Sequence, residues 1–397
     1  MLRHRSLSLI NATWAVPVVI FVRIMRPLIF IRIGRLFSGR IGHFVPDAAE
    51  HSVKKSLQVQ RTYDFYYFFG GICNDQWAKM VRRNLKIKGG WLKYIWHWNN
   101  FIPGGAKHNL PQSFTNSRDP QGLLTKIDVS YDFLPEENKI SREWLRSKGW
   151  KEGEPFICLQ VRDSAYLDKF DPNKGDLLQD EHSYRNSSIE SYLPAINWLT
   201  SQGIWVLRMG KLMSEPLGKI DRLIDYAFDE EKSDLLDIWL FANCDACIST
   251  STGPDWISAL YRKPLLFVNA LPLGVLFSMF NSVWVPKKLS WKDSGLNLNL
   301  SEYLENLYLR TSQYVEAGIN ITDLTPEEIL LATQEFWGRI QGTWDDTDEE
   351  TKRQDEFWNH FVSWAGYPKY HEWRHPMSRV GSSWLKSSGK DFMSIID

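Results

Sequence analysis

The sequence predicts an α/β protein built on open parallel sheets, in two successive αβ halves. Residues 156–268 alternate apolar strand-like runs with helical segments in the order β-α-β-α-β, the pattern of a parallel sheet with crossover helices. The first of these runs, FICLQV at residues 156–161, is continuously apolar, as expected for a central strand covered on both faces. In the earlier half, residues 27–34 and 64–69 are strand-like, and each is followed by a glycine-containing turn and a predicted helix.

Length and composition narrow the class of protein. A chain of 397 residues is long enough for two or three domains. Lys plus Arg equals Asp plus Glu at 47 each, so no net charge attracts a polyanion and we expect no nucleic-acid partner. Four cysteines in so long a chain indicate a reducing compartment. Cys244 and Cys247 form a C-x-x-C without a second pair or a histidine cluster, so we predict that they are packing residues.

Residues 1–26 form a basic, apolar N-terminal segment. Residues 8–22 are its most apolar part, but they are shorter than the ~20 residues that a bilayer span needs. We interpret the segment as amphipathic and lying on the anionic cytoplasmic leaflet, which predicts a cytoplasmic protein peripheral to the inner membrane. The alternatives are a first helix packed on its own domain and a single uncleaved span. Seven arginines precede the first acidic residue, Asp47: Arg3, Arg5, Arg23, Arg26, Arg32, Arg35 and Arg40.

Composition also predicts the domain boundaries. Residues 110–154 are polar and rich in turn residues, as expected of an inter-domain connection. We therefore predict a first domain at 27–145 and a second at 150–325. A helical segment at 326–397 follows.

The rest of the chain is organised around residues 244–270. This stretch predicts a buried strand ending at Ile248, a hydroxyl-rich turn, a helix from Pro254 and a second strand at 265–268. Pro254 suits a first helical turn, and Gly253 allows a sharp turn before it. A helix N-terminus with free N–H groups and hydroxyls at a strand end can hold a phosphate or diphosphate. The alternative is an ordinary β-loop-α unit. Asp255 would repel a phosphate unless it faces a sugar hydroxyl or solvent.

Three strand ends in the second half are expected to converge on this turn, since ligands of open αβ sheets bind beyond the carboxyl ends of the strands. RDSAY follows one strand and RMG another, so Arg162 and Arg208 would approach a diphosphate there. The alternative is an internal ion pair, of Arg162 with Asp163 or Asp168. The predicted binding residues are Arg162, Tyr166, Arg208, Gly210, Ser249, Thr250, Ser251, Thr252, Gly253 and Asp255.

His43 is the first candidate for a general base and Asp163 the second. His43 follows the glycine-punctuated loop at 34–42, where an imidazole could face a cleft; the alternative is a capping or packing histidine. The sequence contains no G-x-G-x-x-G following either strand, no P-loop, no G-x-S-x-G elbow and no H-E-x-x-H.

Several of these stretches resemble known glycosyltransferases. ISTSTGPDWISALYRKPLLFVN resembles the donor-site strand-loop-helix of GT-B-type enzymes such as the ADP-heptosyltransferases. VRDSAY, HSYRNSSIESYLPAINWL, WVLRMG, RIGRLFSGRIGHF and DFYYFFGGICN together resemble a bacterial glycosyltransferase family linked to surface-polysaccharide synthesis. VRDSAY is also distantly similar to the fucosyltransferase motif that grips the donor diphosphate. That motif has two adjacent basic residues, whereas the second position here is Asp163.

The resemblance implies a GT-B-like fold, with two facing Rossmann-like domains and C-terminal helices that cross back to the first. It implies a nucleotide-sugar donor in 150–325, a glycan or lipid-linked acceptor against 27–145, and neither a metal nor a cofactor besides the donor. The resulting hypothesis is a metal-independent, membrane-associated glycosyltransferase of bacterial surface-polysaccharide synthesis. The rival hypotheses are a nucleotide-sugar epimerase or hydrolase on the same fold, and a non-catalytic membrane-tethered carbohydrate-binding protein.

Overall fold

A computed structural model describes residues 2–58, 62–163, 165 and 181–393. The chain divides into two compact units, at residues 1–119 with 126–134 (unit 1) and residues 120–125 with 135–397 (unit 2). The boundary between the units falls inside the turn-rich connection predicted at 110–154. The helices after residue 326 belong to unit 2, and their predicted packing against the first domain stays a prediction.

Unit 1 is an αβ unit around two parallel strands. Strands β1 (Phe30–Phe37) and β2 (Thr62–Phe69) pair in parallel along their whole length. Isolated parallel bridges at Ile33↔Asn109 and Tyr66↔Ile87 extend the pairing. The main elements are α1 (Leu2–Ile24), β1 (Phe30–Phe37), α2 (Ile41–Ser56), β2 (Thr62–Phe69), α3 (Asp75–Asn84) and α4 (Leu92–Phe101).

Helix α1 packs with one face on its own unit. Ala15 and Val19 join Leu92 and Ile95 of α4 in one hydrophobic core cluster. Near the end of α1, the Arg23 guanidinium donates to Asn99 Oδ1 at 2.7 Å. This face of α1 is therefore packed on its own domain, which was one of the alternatives for the N-terminal segment. Among the described residues, no helix is long and apolar enough to cross a bilayer.

Unit 2 is built on a seven-stranded parallel sheet in the order β11-β8-β7-β6-β3-β4-β5, which confirms the predicted open parallel sheet. Its strands are β3 (Phe156–Gln160), β4 (Trp205–Arg208), β5 (Leu223–Ile224), β6 (Ala246–Ser249), β7 (Leu265–Val268), β8 (Ser282–Val285) and β11 (Arg379–Val380). A separate antiparallel pair is formed by β9 (Lys288–Trp291) and β10 (Ile319–Thr322).

The helices of unit 2 cover its sheet. In order they are α5 (Leu123–Lys126), α6 (Pro135–Ser147), α7 (Leu193–Ser201), α8 (Asp234–Asn243), α9 (Asp255–Leu260), α10 (Leu300–Glu305), α11 (Thr311–Glu316), α12 (Pro326–Gln341), α13 (Asp348–Ser363), α14 (Tyr367–Tyr370) and α15 (Ser382–Ser387). In the C-terminal part, α12 packs against α7 and α15.

Local chemistry explains where α7 begins. Pro194 lies in its first turn, where a missing N–H removes no helical bond, so the helix starts later than residue 187. The S-x-x-E spacing of Ser187 and Glu190 in the sequence predicts a capping box at the start of this helix, and that prediction is wrong. Ser188 accepts the Glu190 N–H, whereas the Ser187 hydroxyl accepts from Asn269 Nδ2 at 3.0 Å.

The strand order of unit 2 has a topological switch point beside β3. The chain passes from β3 to β4 and β5 on one side, and then places β6 on the other side of β3. The carboxyl ends of β3 and β6 are therefore neighbours, and Gln160 pairs with Ser249 there. In open αβ sheets this position forms the ligand crevice.

Candidate functional site

The turn after β6 is hydrogen-bonded to the segment that follows β3. The Arg162 N–H donates to Thr250 Oγ1 at 3.0 Å, and the Thr250 N–H donates to the Gln160 carbonyl at 3.1 Å. Thr250 is buried, while residues 251–254 are half-exposed. The backbone of Arg162 therefore lies against the hydroxyl-rich turn at the switch point.

Asp255 holds this turn together from inside. Its Oδ2 accepts from the Ser249 hydroxyl at 2.8 Å and from the Thr252 N–H at 2.6 Å, and Ser251 supplies the left-handed residue with φ of 59°. Burial raises the pKa of Asp255 to about 7, although these hydrogen bonds oppose the rise.

The free donors expected at the helix start are thus partly engaged within the protein. The Thr250 and Thr252 N–H groups are taken, and α9 is only six residues long. Its N-terminus is therefore not by itself an anion site, and side chains have to supply the positive charge.

Two arginines contact the turn or its neighbour after β3, Arg162 through its backbone N–H and Arg185 through its guanidinium. Arg162 Nε donates to Asn186 Oδ1 at 3.2 Å, and the Arg185 guanidinium donates to the Ser251 carbonyl. Both arginines are half-buried. Nearby, burial and then the positive charges of Arg162 and Arg185 lower the pKa of His182. The two arginines and the imidazole that lies within reach of their charge form a group beside the switch point, which we call the arginine cluster (Arg162, Arg185, His182).

Arg208 lies apart from this cluster, one strand away at the end of β4. Its guanidinium is fully buried, donating from Nη1 to the Glu215 carbonyl at 2.6 Å and to Asp225 Oδ2 at 3.2 Å. The internal Arg–Asp pair weighed for Arg162 is thus found at Arg208. Gly210 leaves room for the Met213 side chain, because a Cβ at residue 210 would lie 2.6 Å from it.

Asp163 is held by the backbone on both oxygens. Oδ1 accepts from the Ala165 N–H at 3.1 Å and Oδ2 from the Ser214 N–H at 2.8 Å. Neither oxygen is left without a donor, which weakens its candidacy as a general base. Tyr166 and Asp168 lie outside the described residues.

His43 occupies the first turn of α2 in unit 1. Its Nδ1 lies 2.9 Å from the Ser117 Oγ, and the Ser117 hydroxyl donates to Asp47 Oδ1 at 2.5 Å. Burial lowers the pKa of His43, and the positive charge of Arg40 lowers it further. The imidazole is therefore neutral at neutral pH, the form that a general base needs.

Buried carboxyl groups on α2 fasten the loop at residues 112–119. Glu50 Oε2 accepts from the Ser113 hydroxyl at 2.8 Å and from the Phe114 N–H at 2.9 Å. Burial raises the pKa of Asp47 to about 7; hydrogen bonds from Ser117 and Gln112 oppose the rise, and the charge of Glu50 adds to it. The arrangement joins His43, Ser117 and Asp47 in one chain of hydrogen bonds.

The cysteines behave as packing residues. Cys158, Cys244 and Cys247 are buried free thiols, and Cys244 Sγ donates to the Phe241 carbonyl at 3.3 Å. Over the described ranges, no group of three or more histidine, cysteine or acidic side chains is arranged to hold a metal ion.

Sequence reasoning missed Arg185, Ser117 and Asp47. Asp47 follows His43 by four residues, so both lie on one helix face, and this spacing is a usable signal. Ser117 is 74 residues from His43, and Arg185 ends a short 3-10 helix (Ser183–Arg185) rather than a strand, so no local pattern identifies either.

Comparison with known proteins gives distant likenesses of structure. No family model matches the chain, and no curated protein matches it. The chain is similar to a glycosyl transferase family 9 structure from Veillonella parvula (9% identity, 65% of this chain and 86% of that one, TM-score 0.41). It is similar to the E. coli ADP-heptose LPS heptosyltransferase II (9% identity, 78% and 100%, TM-score 0.42).

A third likeness is to S. aureus MnaA in a structure with UDP (12% identity, 80% of this chain and 99% of that one, TM-score 0.31). With TM-scores below 0.5, these likenesses carry no information on the activity of this chain. Its chemistry has to be inferred from its own residues.

Proposed function

We propose that the chain is a GT-B-type glycosyltransferase that moves a sugar from a nucleotide-sugar donor to a glycan or lipid-linked acceptor in bacterial surface-polysaccharide synthesis. The observation that carries the proposal is the arginine cluster at the switch point between β3 and β6. In this proposal unit 2 binds the donor and unit 1 the acceptor.

The charges at the switch point suit a diphosphate. Arg162 and Arg185 can each form charge-assisted, bidentate bonds to phosphate oxygens. Because the pKa of Asp255 is about 7, that buried carboxyl carries only part of a negative charge at neutral pH and does not cancel two guanidinium groups. The half-exposed Ser251, Thr252 and Gly253 border the same place.

Fixed positive charge of this kind stabilises a departing nucleoside diphosphate and can take the part that a metal plays in other transferases. Arg208 is left out of this role because its guanidinium is buried against Asp225.

His43 is the proposed general base. In an inverting transfer the acceptor hydroxyl loses its proton to the imidazole, its oxygen bonds to the anomeric carbon, and the bond to the nucleoside diphosphate breaks with the electron pair leaving on the phosphate oxygen. Neutral His43 has a free lone pair for this step, whereas both Asp163 oxygens already accept backbone N–H groups.

We also propose a peripheral membrane contact through the outward face of α1. Phe21 and Ile24 are 60% and 70% exposed, and no acidic residue occurs before Asp47. An apolar face within a basic segment fits an anionic lipid surface, and would keep the enzyme near a lipid-linked acceptor.

The decisive experiment is thermal stabilisation of the full chain by UDP, GDP, ADP, CDP and CMP, followed by turnover of the matching nucleotide sugar. One diphosphate should stabilise the protein. Arg162→Ala and Arg185→Ala should each weaken its binding about 10- to 100-fold, the range for a hydrogen bond to a charged group. Arg353→Ala, which removes an arginine paired with Glu349 on α13, serves as the matched control.

The rival functions give different outcomes. Donor consumption without any acceptor would favour an epimerase or hydrolase. Stabilisation by no nucleotide would favour a carbohydrate-binding protein. Unchanged binding in both arginine variants would refute the diphosphate assignment.

A further inference from the structure

We infer that Ser117 and Asp47 are positioning residues that hold His43 in its Nδ1–H tautomer, so that Nε2 is the atom that accepts a proton. The inference concerns unit 1 alone, and only its catalytic consequence rests on the proposed function.

The direction of the hydrogen bonds fixes the tautomer. A serine hydroxyl has one proton to donate and two lone pairs. Above the Asp47 pKa of about 7, the ionised carboxylate can only accept. The Ser117 proton then goes to Asp47 Oδ1 at 2.5 Å, so Ser117 Oγ meets His43 Nδ1 at 2.9 Å as an acceptor. The imidazole must then carry its proton on Nδ1, which leaves the lone pair on Nε2. Within the described part of the chain, no hydrogen bond to this Nε2 is found.

The loop that carries Ser117 is built to hold the hydroxyl in place. Ser117 is buried and adopts a left-handed φ of 61°, a conformation that costs a serine roughly 1–2 kcal/mol. Its N–H donates to Ser113 Oγ at 2.9 Å, and Ser113 in turn donates to Glu50 of α2. The same helix, α2, carries His43 and Asp47. It therefore positions all three side chains of this hydrogen-bond chain.

A purely structural role would use the same contacts only to anchor the loop. The two roles separate when the hydroxyl is removed without disturbing the backbone. Ser117→Gly does this, because glycine adopts φ of 61° without strain. Asn116→Gly is the matched control: Asn116 is also left-handed (φ 54°), and its replacement keeps the Ser117 hydroxyl.

The first readout is the tautomer of His43 in the full chain, by long-range ¹H–¹⁵N correlation of the histidine rings, with His43→Gln to assign its signals. At a pH well above the Asp47 pKa of about 7, the wild type and Asn116→Gly should show the Nδ1–H pattern. Ser117→Gly should shift towards the Nε2–H form or a mixture. An Nε2–H pattern in the wild type would overturn the inference, as would a pattern unchanged in Ser117→Gly.

The second readout is kinetic. Ser117→Gly should lower kcat about 10- to 100-fold, as expected for a lost hydrogen bond to a group that becomes charged, with KM for the donor unchanged. Asn116→Gly should leave both near wild type. Equal kcat in the two variants would contradict the positioning role. If no nucleotide sugar is turned over at all, the proposed function fails, while the ring tautomer still decides this inference.

Discussion

Asp255 gives the switch-point turn a characteristic dependence on pH. Its carboxyl has a pKa near 3.8 when exposed and about 7 in the folded protein. Between these values the folded state binds the proton more tightly than the unfolded state does. The stability that comes from the protonated form is therefore complete below about pH 4, and is lost as the pH rises towards 7.

Replacing Asp255 by Asn should flatten this dependence. The amide oxygen can still accept from Ser249 and Thr252 but does not ionise. We expect the Tm of the wild type to fall more between pH 5 and 8 than the Tm of Asp255→Asn, measured by thermal unfolding in matched buffers. Asp293→Asn, at an exposed position, should follow the wild type. Parallel curves for wild type and Asp255→Asn would show that this carboxyl ionises normally.

Single residues also mark where sequence reasoning about the site works and where it stops. The position of Arg162 beside the switch point could be predicted, because the residue closely follows a buried strand whose carboxyl end meets the expected ligand crevice. The same argument selected Arg208, where it failed, because Asp225 lies beyond the next loop and pairs with the guanidinium. Burial and pairing depend on contacts across the fold, which strand ends do not encode.

Helix α1 shows the same contrast, between what local sequence predicts and what long-range contacts decide, for a whole element. Its sequence allowed both a membrane-facing and a packed helix, and the structure has one buried face and one exposed apolar face. Ala15 and Val19 are buried, whereas Ile20, Phe21 and Ile24 are 48–70% exposed. Apolar composition alone could not assign the two faces, because the partner surface on α4 comes from residues 92–101.

The exposed face of α1 should bind anionic membranes. We expect the wild type to sediment with phosphatidylglycerol-rich vesicles and much less with pure phosphatidylcholine. Phe21→Glu combined with Ile24→Glu should reduce binding at least tenfold, since burial of each apolar side chain is worth about 1.5–3 kcal/mol. Raising the salt concentration should also weaken binding.

The control for the α1 variant is Leu331→Glu, which places a carboxylate on an exposed apolar position of α12. It should sediment like the wild type, and an unchanged Tm would show that the α1 variant is folded. Equal sedimentation of the α1 variant and the wild type would remove the membrane contact from the proposal.

At the scale of the molecule, periodicity predicted the sheet of unit 2 well and unit 1 less completely. Continuous apolar runs marked β3, β6 and β7 because parallel central strands are buried on both faces. In the part of unit 1 that the structure describes, the strands are β1 and β2, and single bridges from Asn109 and Ile87 extend them. Such bridges have no run of apolar residues to reveal them.

The two sites belong to different units, which predicts a separation of effects. The hydrogen bonds described for Arg162 and Arg185 join residues of unit 2, and those of His43, Ser117 and Asp47 join residues of unit 1. Substitutions without shared partners usually act independently. Arg162→Ala should therefore lose much of the stabilisation by the nucleotide, while Ser117→Gly should keep it in full and turn over the donor more slowly.

A nucleotide titration followed by Tm, with turnover measured on the same four proteins, tests this separation. The set is wild type, Arg162→Ala, Ser117→Gly and the double variant. At a ligand concentration of about 100 times Kd the wild type should gain roughly 2.7 kcal/mol of stability, and Ser117→Gly should gain the same. The double variant should show the same binding defect as Arg162→Ala. If Ser117→Gly weakens nucleotide binding as much as Arg162→Ala does, the assignment of donor and acceptor to separate units is wrong.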